Sequence, residues 1–544
     1  MTSADAGPAD SSVTELSERA VRTIATGDPC LAVILGLPEA TEALTDYSPA
    51  GYSARQAEAA ELLRTAEALP AATSADRVAR DVMVHQLRHT VAAAEAGDHL
   101  RDVNILSSPP QHIRMALEFA APDQRAALVA AVPAAMAGWR ETLTEGIASG
   151  SPAARRQAIA VAEQLATYGN DWLTGFRDRS GLDDDVVRGA RRAFLDTSVW
   201  LSDVYAPQAE SADAVGEERY LRAAAAFNGL DLDLDDTYDW GWVEVERLSR
   251  ELRAEVDRLE PGLPLGDVRA RLDADPQYQI HGTTALLHHL RELTDTATAR
   301  VDGELFDLDP RVRECGVQLA AEGSAAAPYY VPPSEDLSRP GSTWYPTRGA
   351  DVFPRWWLET VWFHEGVPGH HLQLGATATM ADMSRFQRVL GMTSGQAEGW
   401  ALYAERLCDE LGWFDEPGTR IGFLSAQLMR AVRVVVDIGL HTHRSVPRGV
   451  RSERGPITPR LAEQLLVNTA LVEPGFAASE VDRYLGMPGQ AISYKVGERV
   501  WWELRDEARA ADPGFDLKAW HMAALRLGPM GLAQFQAEMS APAR

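Results

Sequence analysis

The sequence predicts a mainly α-helical fold with a few short strands. Stretches rich in Ala, Leu, Glu and Arg, with apolar residues at helical spacing, cover 52–70, 75–97, 111–149, 152–177 and 184–204. Pro, Gly, Ser or Asp bounds each stretch, and these residue types commonly start or stop helices. Apolar residues make up 45% of the 544 residues, so the chain can bury a large core.

Two segments interrupt the helical pattern and mark candidate boundaries. The segment from 205 to 245 predicts a helix, a solvated acidic loop and a second helix. The segment from 324 to 348 is rich in Pro, Ser and aromatic residues, which predicts extended chain or short strand. Because no shift in composition accompanies either segment, we expect a single large helical unit over 16–544, with a subdivision near 205 or 325 as the alternative.

Charge and the N-terminal sequence restrict the partners and the location of the protein. The 52 Lys and Arg residues stand against 79 Asp and Glu residues, a net charge of −27, which argues against nucleic acid or an anionic membrane as the main partner. Residues 1–15 lack the basic and apolar regions of a secretory signal, so we expect a disordered lead. No uninterrupted apolar run reaches the length of a membrane span, and we therefore expect a cytoplasmic protein.

The candidate chemistry is concentrated in the segment WWLETVWFHEGVPGHHLQ, residues 356–373. Its apolar residues recur at i, i+3 and i+4, which predicts an amphipathic helix that runs into His364. His364 and Glu365 begin a motif close to HExxH, in which two imidazoles one turn apart share a zinc ion and the glutamate is a general base. In this chain Pro368 occupies the position of the second histidine.

The identity of the second histidine ligand depends on how the chain bends after His364. On an unbroken helix His370 lies roughly 240° around the axis and His371 lies about 10 Å along it, so neither shares an ion with His364. Pro368 removes a helical hydrogen-bond donor, and Gly369 permits a tight turn. Looping out two residues favours His370 as the ligand, with His371 as the alternative. The other histidine of the pair is expected to line the substrate site.

A third protein ligand completes a catalytic zinc site that keeps one open position. The run SGQAEGWALYAERLCDE (394–410) is strongly helical and carries Glu398, which follows His364 by 34 residues. This spacing is typical of zincins whose third ligand is a glutamate on the next long helix. Glu405 lies seven residues later on the same helix face. We expect Glu398 to be the ligand, and Glu405 is the alternative, either as a ligand or as a carboxylate that orients one.

Sequence blocks along most of the chain form a pattern in fixed order. They are DVNILSSPPQ (102–111), GEERYLRA (216–223), PYYVPPSEDLSRPGSTWY (328–345), HEGVPGHHLQ (364–373), AEGWALYAERL (397–407), LMRAVRVVVDIGLH (428–441) and VDRYLGMPGQAISYKVG (481–497). Together they resemble the bacterial family catalogued as domain of unknown function 885. The resemblance implies a large, mainly α-helical, gluzincin-like zinc metallopeptidase with a deep cleft, an activity that is predicted for most family members.

Two residues are the candidates for catalysis. Glu365 would take the proton of the attacking water and pass it to the leaving amine. Tyr494, in the glycine-flanked block GQAISYKVG, is the first choice for a donor to the oxyanion. The alternative for Tyr494 is a core tyrosine whose hydroxyl is satisfied locally.

Further residues are candidates for substrate binding, beside His371. Arg430 and Arg433 share a helix face that also approaches His441, so they could clamp a substrate carboxylate or pair with acidic residues inside the bundle. Tyr330 and its neighbour Tyr329 could line an extended edge that pairs with a peptide backbone, or pack as part of a loop.

Three functions fit these residues. The first is a zinc peptidase that acts on short peptides. The second is a zinc amide hydrolase that trims an amino-acid conjugate in a biosynthetic pathway. The third is a non-catalytic binding protein of the same fold, which is disfavoured because binding alone does not need Glu365. We expect the peptidase.

Overall fold

The structure is a computed structural model that describes residues 12–320, 327–447 and 455–541. Helices account for 69% of it and strands for 4%, so the predicted mainly α-helical fold with few short strands is confirmed. By packing, the chain divides into two compact units. The first is Met1–Asp213 with Ala381–Gly391, and the second is Ala214–Met380 with Met392–Arg544. The single unit expected over 16–544 stays a prediction. A division into two compact units does not show that either unit folds independently.

The first unit is a set of helices around a continuous apolar core that includes Trp139, Trp172, Phe176 and Phe194. The helices, numbered in chain order, are α1 (Ser12–Gly27), α2 (Pro29–Leu35), α3 (Pro49–Ala68), α4 (Ser74–Glu95), α5 (Pro109–Phe119), α6 (Arg125–Ala148), α7 (Arg155–Thr167), α8 (Leu173–Ser180), α9 (Asp184–Trp200) and, from the later segment, α16 (Arg385–Leu390). Helices α2 and α5 to α9 contribute apolar residues to this core.

The helices of this unit differ from the sequence pattern at several places. The stretch predicted as one helix over 111–149 is two helices, α5 and α6, because Pro122 lies in the intervening segment. The stretch over 152–177 changes to π-helical geometry at Tyr168–Trp172. Helix α1 begins at Ser12, inside the lead expected over 1–15, and it buries Val13 and Leu16. The first eleven residues of that lead lie outside the described residues.

The second unit contains long helices and short strands. The helices are α10 (Glu217–Asn228), α11 (Leu234–Leu259), α12 (Leu265–Asp273), α13 (Thr283–Val301), α14 (Arg355–Glu365), α15 (His370–Ala378), α17 (Ser394–Glu410), α18 (Pro417–Thr442), α19 (Pro459–Ala470), α20 (Pro474–Gly486), α21 (Ser493–Ala511), α22 (Leu517–Arg526) and α23 (Leu532–Met539). In the described ranges, every helix is too short or too polar to cross a bilayer. The cytoplasmic location stays a prediction.

The strands form two small sheets that help to fix α14. They are β1 (Gln279–His281), β2 (Gly316–Leu319), β3 (Tyr329–Val331), β4 (Ser342–Tyr345) and β5 (Val352–Pro354). β1 pairs antiparallel with β5, while β4 lies between a parallel β2 and an antiparallel β3. Strands β3 and β4 confirm the extended structure predicted within 324–348 for its described part. Apolar residues of α13, both sheets and α14 form one buried cluster, in which Trp362 donates to Leu290 O at 3.1 Å.

Three glycines allow α17 and α21 to approach backbone to backbone. A Cβ atom on Gly497 would lie 1.9 Å from the carbonyl oxygen of Gly395, and a Cβ atom on Gly399 would lie 2.4 Å from the carbonyl carbon of Gly497. Neither position has room for a side chain. The close contact brings the first turn of α21, which carries Tyr494, next to the turn of α17 that carries Glu398.

Gly497→Ala should lower the stability of the protein, because the added methyl group must force two helix backbones apart. We expect a loss of about 1–3 kcal/mol, seen as an earlier midpoint of urea unfolding. The matched control is Gly266→Ala in α12, where a Cβ atom meets nothing within 4 Å and helix propensity favours alanine. Equal midpoints for the two variants would show that the α17–α21 approach does not depend on glycine.

Candidate metal centre

A short turn joins the two helices that carry the candidate histidines. Helix α14 ends one residue after His364, and α15 begins at His370. A Cβ atom on Gly369 would lie 1.9 Å from the carbonyl oxygen of His364, so the turn requires glycine there. The indole N–H of Trp400, on α17, donates to the carbonyl oxygens of Pro368 and Gly369, each at 3.0 Å. The predicted break of the helix at the Pro-Gly pair is confirmed, and α17 holds the turn in place.

This turn brings His364, His370 and Glu398 together. The Nε2 atoms of His364 and His370 lie 3.1 and 3.4 Å from Oε2 of Glu398. The candidate ligand atoms of the three residues all lie within 4.8 Å of one another. Their side chains are 3%, 12% and 19% exposed, so the group is buried but open on the side of Glu398. This arrangement could hold a metal ion.

The donor set and its spacing fit zinc. Imidazole nitrogens and a carboxylate are common zinc ligands, and tetrahedral bonds of about 2.0–2.2 Å set neighbouring ligand atoms about 3.3–3.5 Å apart. The 3.1 and 3.4 Å separations at Glu398 are close to that value. The Nδ1 atom of His370 is buried without a hydrogen-bond partner among the described residues. The ring of His370 is therefore held on one side only, through Nε2.

Glu405 fixes the ring of His364 from the side opposite Glu398. Its Oε1 lies 2.8 Å from Nδ1 of His364, and its Oε2 accepts a hydrogen bond of 2.8 Å from the hydroxyl of Thr360. The guanidinium of Arg430 lies 3.3 Å from the same carboxylate, which is fully buried. A carboxylate in this position sets the tautomer and orientation of a metal-binding imidazole. The geometry thus favours the orienting role predicted for Glu405 and places Glu398 among the candidate ligands.

The charges in the group are strongly coupled. Burial lowers the pKa of His364, but hydrogen bonds to Glu398 and Glu405 outweigh it and raise that pKa to about 9. Burial raises the pKa of Glu398, but hydrogen bonds from His364 and His370 outweigh it and hold that pKa well below its ordinary value. For Glu365 burial dominates, and its pKa is raised although His364 and His370 oppose the effect. Glu365 is therefore the carboxylate of this group that takes up a proton most readily.

His371, the alternative ligand, lies apart from this group. Its Nε2 donates to the carbonyl oxygen of Val312 at 2.8 Å, and its Nδ1 accepts from the hydroxyl of Tyr330 at 3.0 Å. Burial lowers the pKa of His371 to about 4, so the ring is neutral at neutral pH with both nitrogens engaged. Tyr330, predicted to bind substrate, is engaged with the same ring.

Tyr494 lies beside the candidate ligands. Its ring stacks on that of His364 with centroids 6.1 Å apart, and the guanidinium of Arg433 lies 4.6 Å from its centroid. Burial, with repulsion from Glu398, raises the pKa of Tyr494. Arg433 also donates to Glu480 through Nε at 3.0 Å. Both predicted arginines therefore pair with acidic residues inside the bundle, Arg433 with Glu480 and Arg430 as described above.

His441 is buried in a separate polar cluster on α18. Its Nε2 donates to the carbonyl oxygen of Tyr484 at 3.0 Å, and burial lowers the pKa of His441 to about 4. Asp437, one turn earlier, accepts the hydroxyl of Tyr220 at 2.8 Å and the backbone N–H of Gly489 at 2.9 Å. Burial raises the pKa of Asp437 to about 7. The structure does not bring His441 into the candidate metal group.

Sequence reasoning missed two supporting residues, Trp400 and Thr360. Trp400 stands two positions after Glu398 in AEGWALYAERL, and Thr360 stands one turn before His364. Their spacing from the candidate ligands is the sequence feature that could have indicated a supporting role. The partner of a buried tryptophan N–H or a helical threonine hydroxyl depends on the packing around it, so neither residue type indicates a role by itself.

The chain matches a family and solved structures over nearly its whole length. A family model described as bacterial protein of unknown function (DUF885) matches residues 29–539. The crystal structure of the "putative lipoprotein" from Colwellia psychrerythraea aligns with a TM-score of 0.81 at 20% identity and covers 97% of this chain and 98% of that one. A "putative lipoprotein of unknown function" from Shewanella oneidensis aligns with a TM-score of 0.72 at 19% identity, over 98% and 100%. No curated protein sequence matches significantly. These two structural alignments show a shared fold.

Glu405→Gln should weaken metal binding. The amide loses the charge that fixes His364, and we expect zinc affinity to fall by about 10–100-fold. Competition with a chromogenic chelator measures this affinity. Glu503→Gln is the matched control, because Glu503 is a half-exposed carboxylate that pairs with Arg499 on α21. Wild-type affinity in Glu405→Gln would remove the orienting role.

Asp437 should make the stability of the protein fall as the pH rises. Its folded-state pKa of about 7 lies above the ordinary 3.8, so over this range the unfolded chain has released a proton that the native state retains. Native stability from this residue is therefore full below pH 3.8 and declines up to about pH 7. Asp437→Asn keeps an acceptor oxygen for Tyr220 and Gly489 but does not titrate.

Urea unfolding of both proteins at several pH values measures this effect. The stability of Asp437→Asn relative to wild type should rise across the window by an amount on the order of 4 kcal/mol. A difference that does not change with pH would contradict the assignment to Asp437.

Proposed function

We propose that this chain, which belongs to the bacterial family DUF885, is a zinc-dependent, gluzincin-like hydrolase that cleaves peptide bonds in short peptides. The observation that supports this function is the grouping of His364, His370 and Glu398 within 4.8 Å, with Glu365 directly after the first histidine. Two imidazoles and a glutamate from the following long helix are the donor set of gluzincins. We include in this proposal a deep cleft above the group, in which the peptide would bind.

The three grouped side chains would hold the ion, and a fourth position would stay open, as catalytic zinc sites require. When bound, zinc supplies Lewis acidity: it lowers the pKa of a coordinated water towards neutrality and polarises the scissile carbonyl. Glu405 keeps Nδ1 of His364 engaged, so Nε2 of that ring faces Glu398 and His370.

Glu365 moves the proton. As a general base its carboxylate accepts a proton from the attacking water, and it then gives this proton to the nitrogen of the leaving amine. Because burial raises the pKa of Glu365, its two protonation states are closer in free energy at neutral pH than for an exposed glutamate. This small difference favours both the uptake of a proton from water and its donation to the leaving amine.

Tyr494 stabilises the oxyanion. Its raised pKa keeps the phenol protonated at neutral pH, so the hydroxyl can donate to the carbonyl oxygen as negative charge develops there. Stacking on His364 holds the ring beside the candidate ligands. The Arg433 guanidinium over the ring adds positive charge to the same side of the site.

Glu365→Gln should retain zinc at about one ion per chain and lose about 10²–10⁴-fold in turnover, because the amide cannot accept the proton. His364→Ala should lose the metal. Elemental analysis gives the zinc content, and mass spectrometry of di- and tripeptide libraries, with and without chelator, gives turnover. Glu503→Gln, the control defined above, should keep both. Full turnover in Glu365→Gln would refute its role as base, and full zinc occupancy in His364→Ala would refute the ligand set.

A further inference from the structure

The segment that leads into Tyr494 is a buried loop. Residues 487–492 join α20 to α21, and 488–492 are all buried. Water cannot reach the backbone of such a loop, so its N–H and carbonyl groups need partners inside the protein. Tyr494 follows the loop as the second residue of α21. The partners of the loop backbone therefore affect where Tyr494 lies.

Side chains from two other helices bind both backbone groups of Gly489, in the middle of the loop. Asp437, on α18, accepts its N–H at 2.9 Å, and Asn228, at the end of α10, donates to its carbonyl oxygen at 3.3 Å. A Cβ atom on Gly489 would lie 2.6 Å from Cα of Ala224, so the loop packs directly on the backbone of α10. Tyr220, one turn before Ala224, donates its hydroxyl to the same oxygen of Asp437 at 2.8 Å. Asp437 thus connects the loop with both helices.

The next residue of the loop, Gln490, has partners that lie nearer to the surface. Arg483 donates to its side-chain oxygen at 2.8 Å, and its side-chain nitrogen donates to the hydroxyl of Ser394 at 3.2 Å. Both of these hydrogen bonds are only partly buried, whereas Asp437 is fully buried. Water can replace a partner of Gln490, but it cannot replace Asp437 as the acceptor for Gly489.

Tyr494 lies between two backbone anchors. Five residues before it, Gly489 is bound to Asp437, and three residues after it, Gly497 packs on the backbone of α17. The ring of Tyr494 stacks on that of His364. Since both anchors are buried and close in sequence to Tyr494, they restrict the first turn of α21 and the direction in which the tyrosine hydroxyl points.

We propose that Asp437 is a positioning residue that, through the backbone of Gly489, holds Tyr494 beside the candidate metal ligands. Asp437 acts on the loop, and the loop sets the start of α21. The consequence for catalysis rests on the proposed function, in which the hydroxyl of Tyr494 donates to the oxyanion. The restraint on the loop itself does not depend on that function.

Hydrogen–deuterium exchange of the full, metal-free protein measures this restraint. Asp437→Leu keeps the approximate size of the side chain but removes the acceptor for Gly489, so we expect the amides of 487–494 to exchange about tenfold faster. Asp437→Asn keeps an acceptor oxygen and should restore wild-type exchange. Amides of α13 should exchange at wild-type rates in both variants, which separates local opening from global unfolding. Wild-type exchange of 487–494 in Asp437→Leu overturns the proposal, and so does equal exchange in the two variants.

Tyr220→Phe is a milder variant, because it removes only the hydroxyl that orients the carboxylate of Asp437. We expect the amides of 487–494 to exchange about threefold faster. Tyr238→Phe is the matched control, since Tyr238 is also buried and donates its hydroxyl to the carbonyl oxygen of Ser445 at 3.1 Å. This control should leave the exchange of 487–494 unchanged. Equal exchange of 487–494 in the two tyrosine variants contradicts the proposal.

A double-mutant cycle on the turnover of short peptides by the zinc-loaded protein tests the catalytic consequence. We expect Asp437→Leu to lower kcat about tenfold in the wild type but less than about twofold in a Tyr494→Phe background, where the hydroxyl is already absent. Asp437→Asn should restore kcat. Equal losses in both backgrounds overturn the action through Tyr494. A wild type without turnover contradicts the proposed function instead, and the exchange measurement still decides whether Asp437 restrains the loop.

Discussion

The indole N–H of Trp400 donates to two successive carbonyl oxygens, those of Pro368 and Gly369, and the geometry of the candidate metal centre depends on this contact. The turn that it holds separates the helix ending after His364 from the helix beginning at His370. Trp400 and Glu398 stand two positions apart on α17, so one helix both fixes the turn and presents a carboxylate to the two imidazoles. The placement of three side chains thus follows from a single packing relationship.

Around this centre, almost every buried charged side chain has a partner of opposite charge. His364 lies between two carboxylates, and Arg430 compensates the inner one, Glu405. On α18 the residues Arg430, Arg433, Asp437 and His441 follow one another at intervals of three or four, which places them on one face of a helix that is buried along most of its length. Removing one partner from such a network leaves a buried charge uncompensated, which costs several kcal/mol. The network therefore supports a rigid centre.

The sequence alone determined the features that depend on near neighbours. Apolar periodicity predicted the helix into His364, Pro368 and Gly369 predicted its break, and the spacing to Glu398 predicted a third candidate ligand on the next long helix. Sequence left His370 and His371 as alternatives, because two adjacent histidines differ only in which partners the fold brings to them. Tertiary structure separated them: His371 is engaged by Val312 and Tyr330, and His370 faces Glu398. The contact of Glu405 with His364 and the glycine contact between α17 and α21 likewise depend on the packing of helices distant in sequence, which local propensity does not encode.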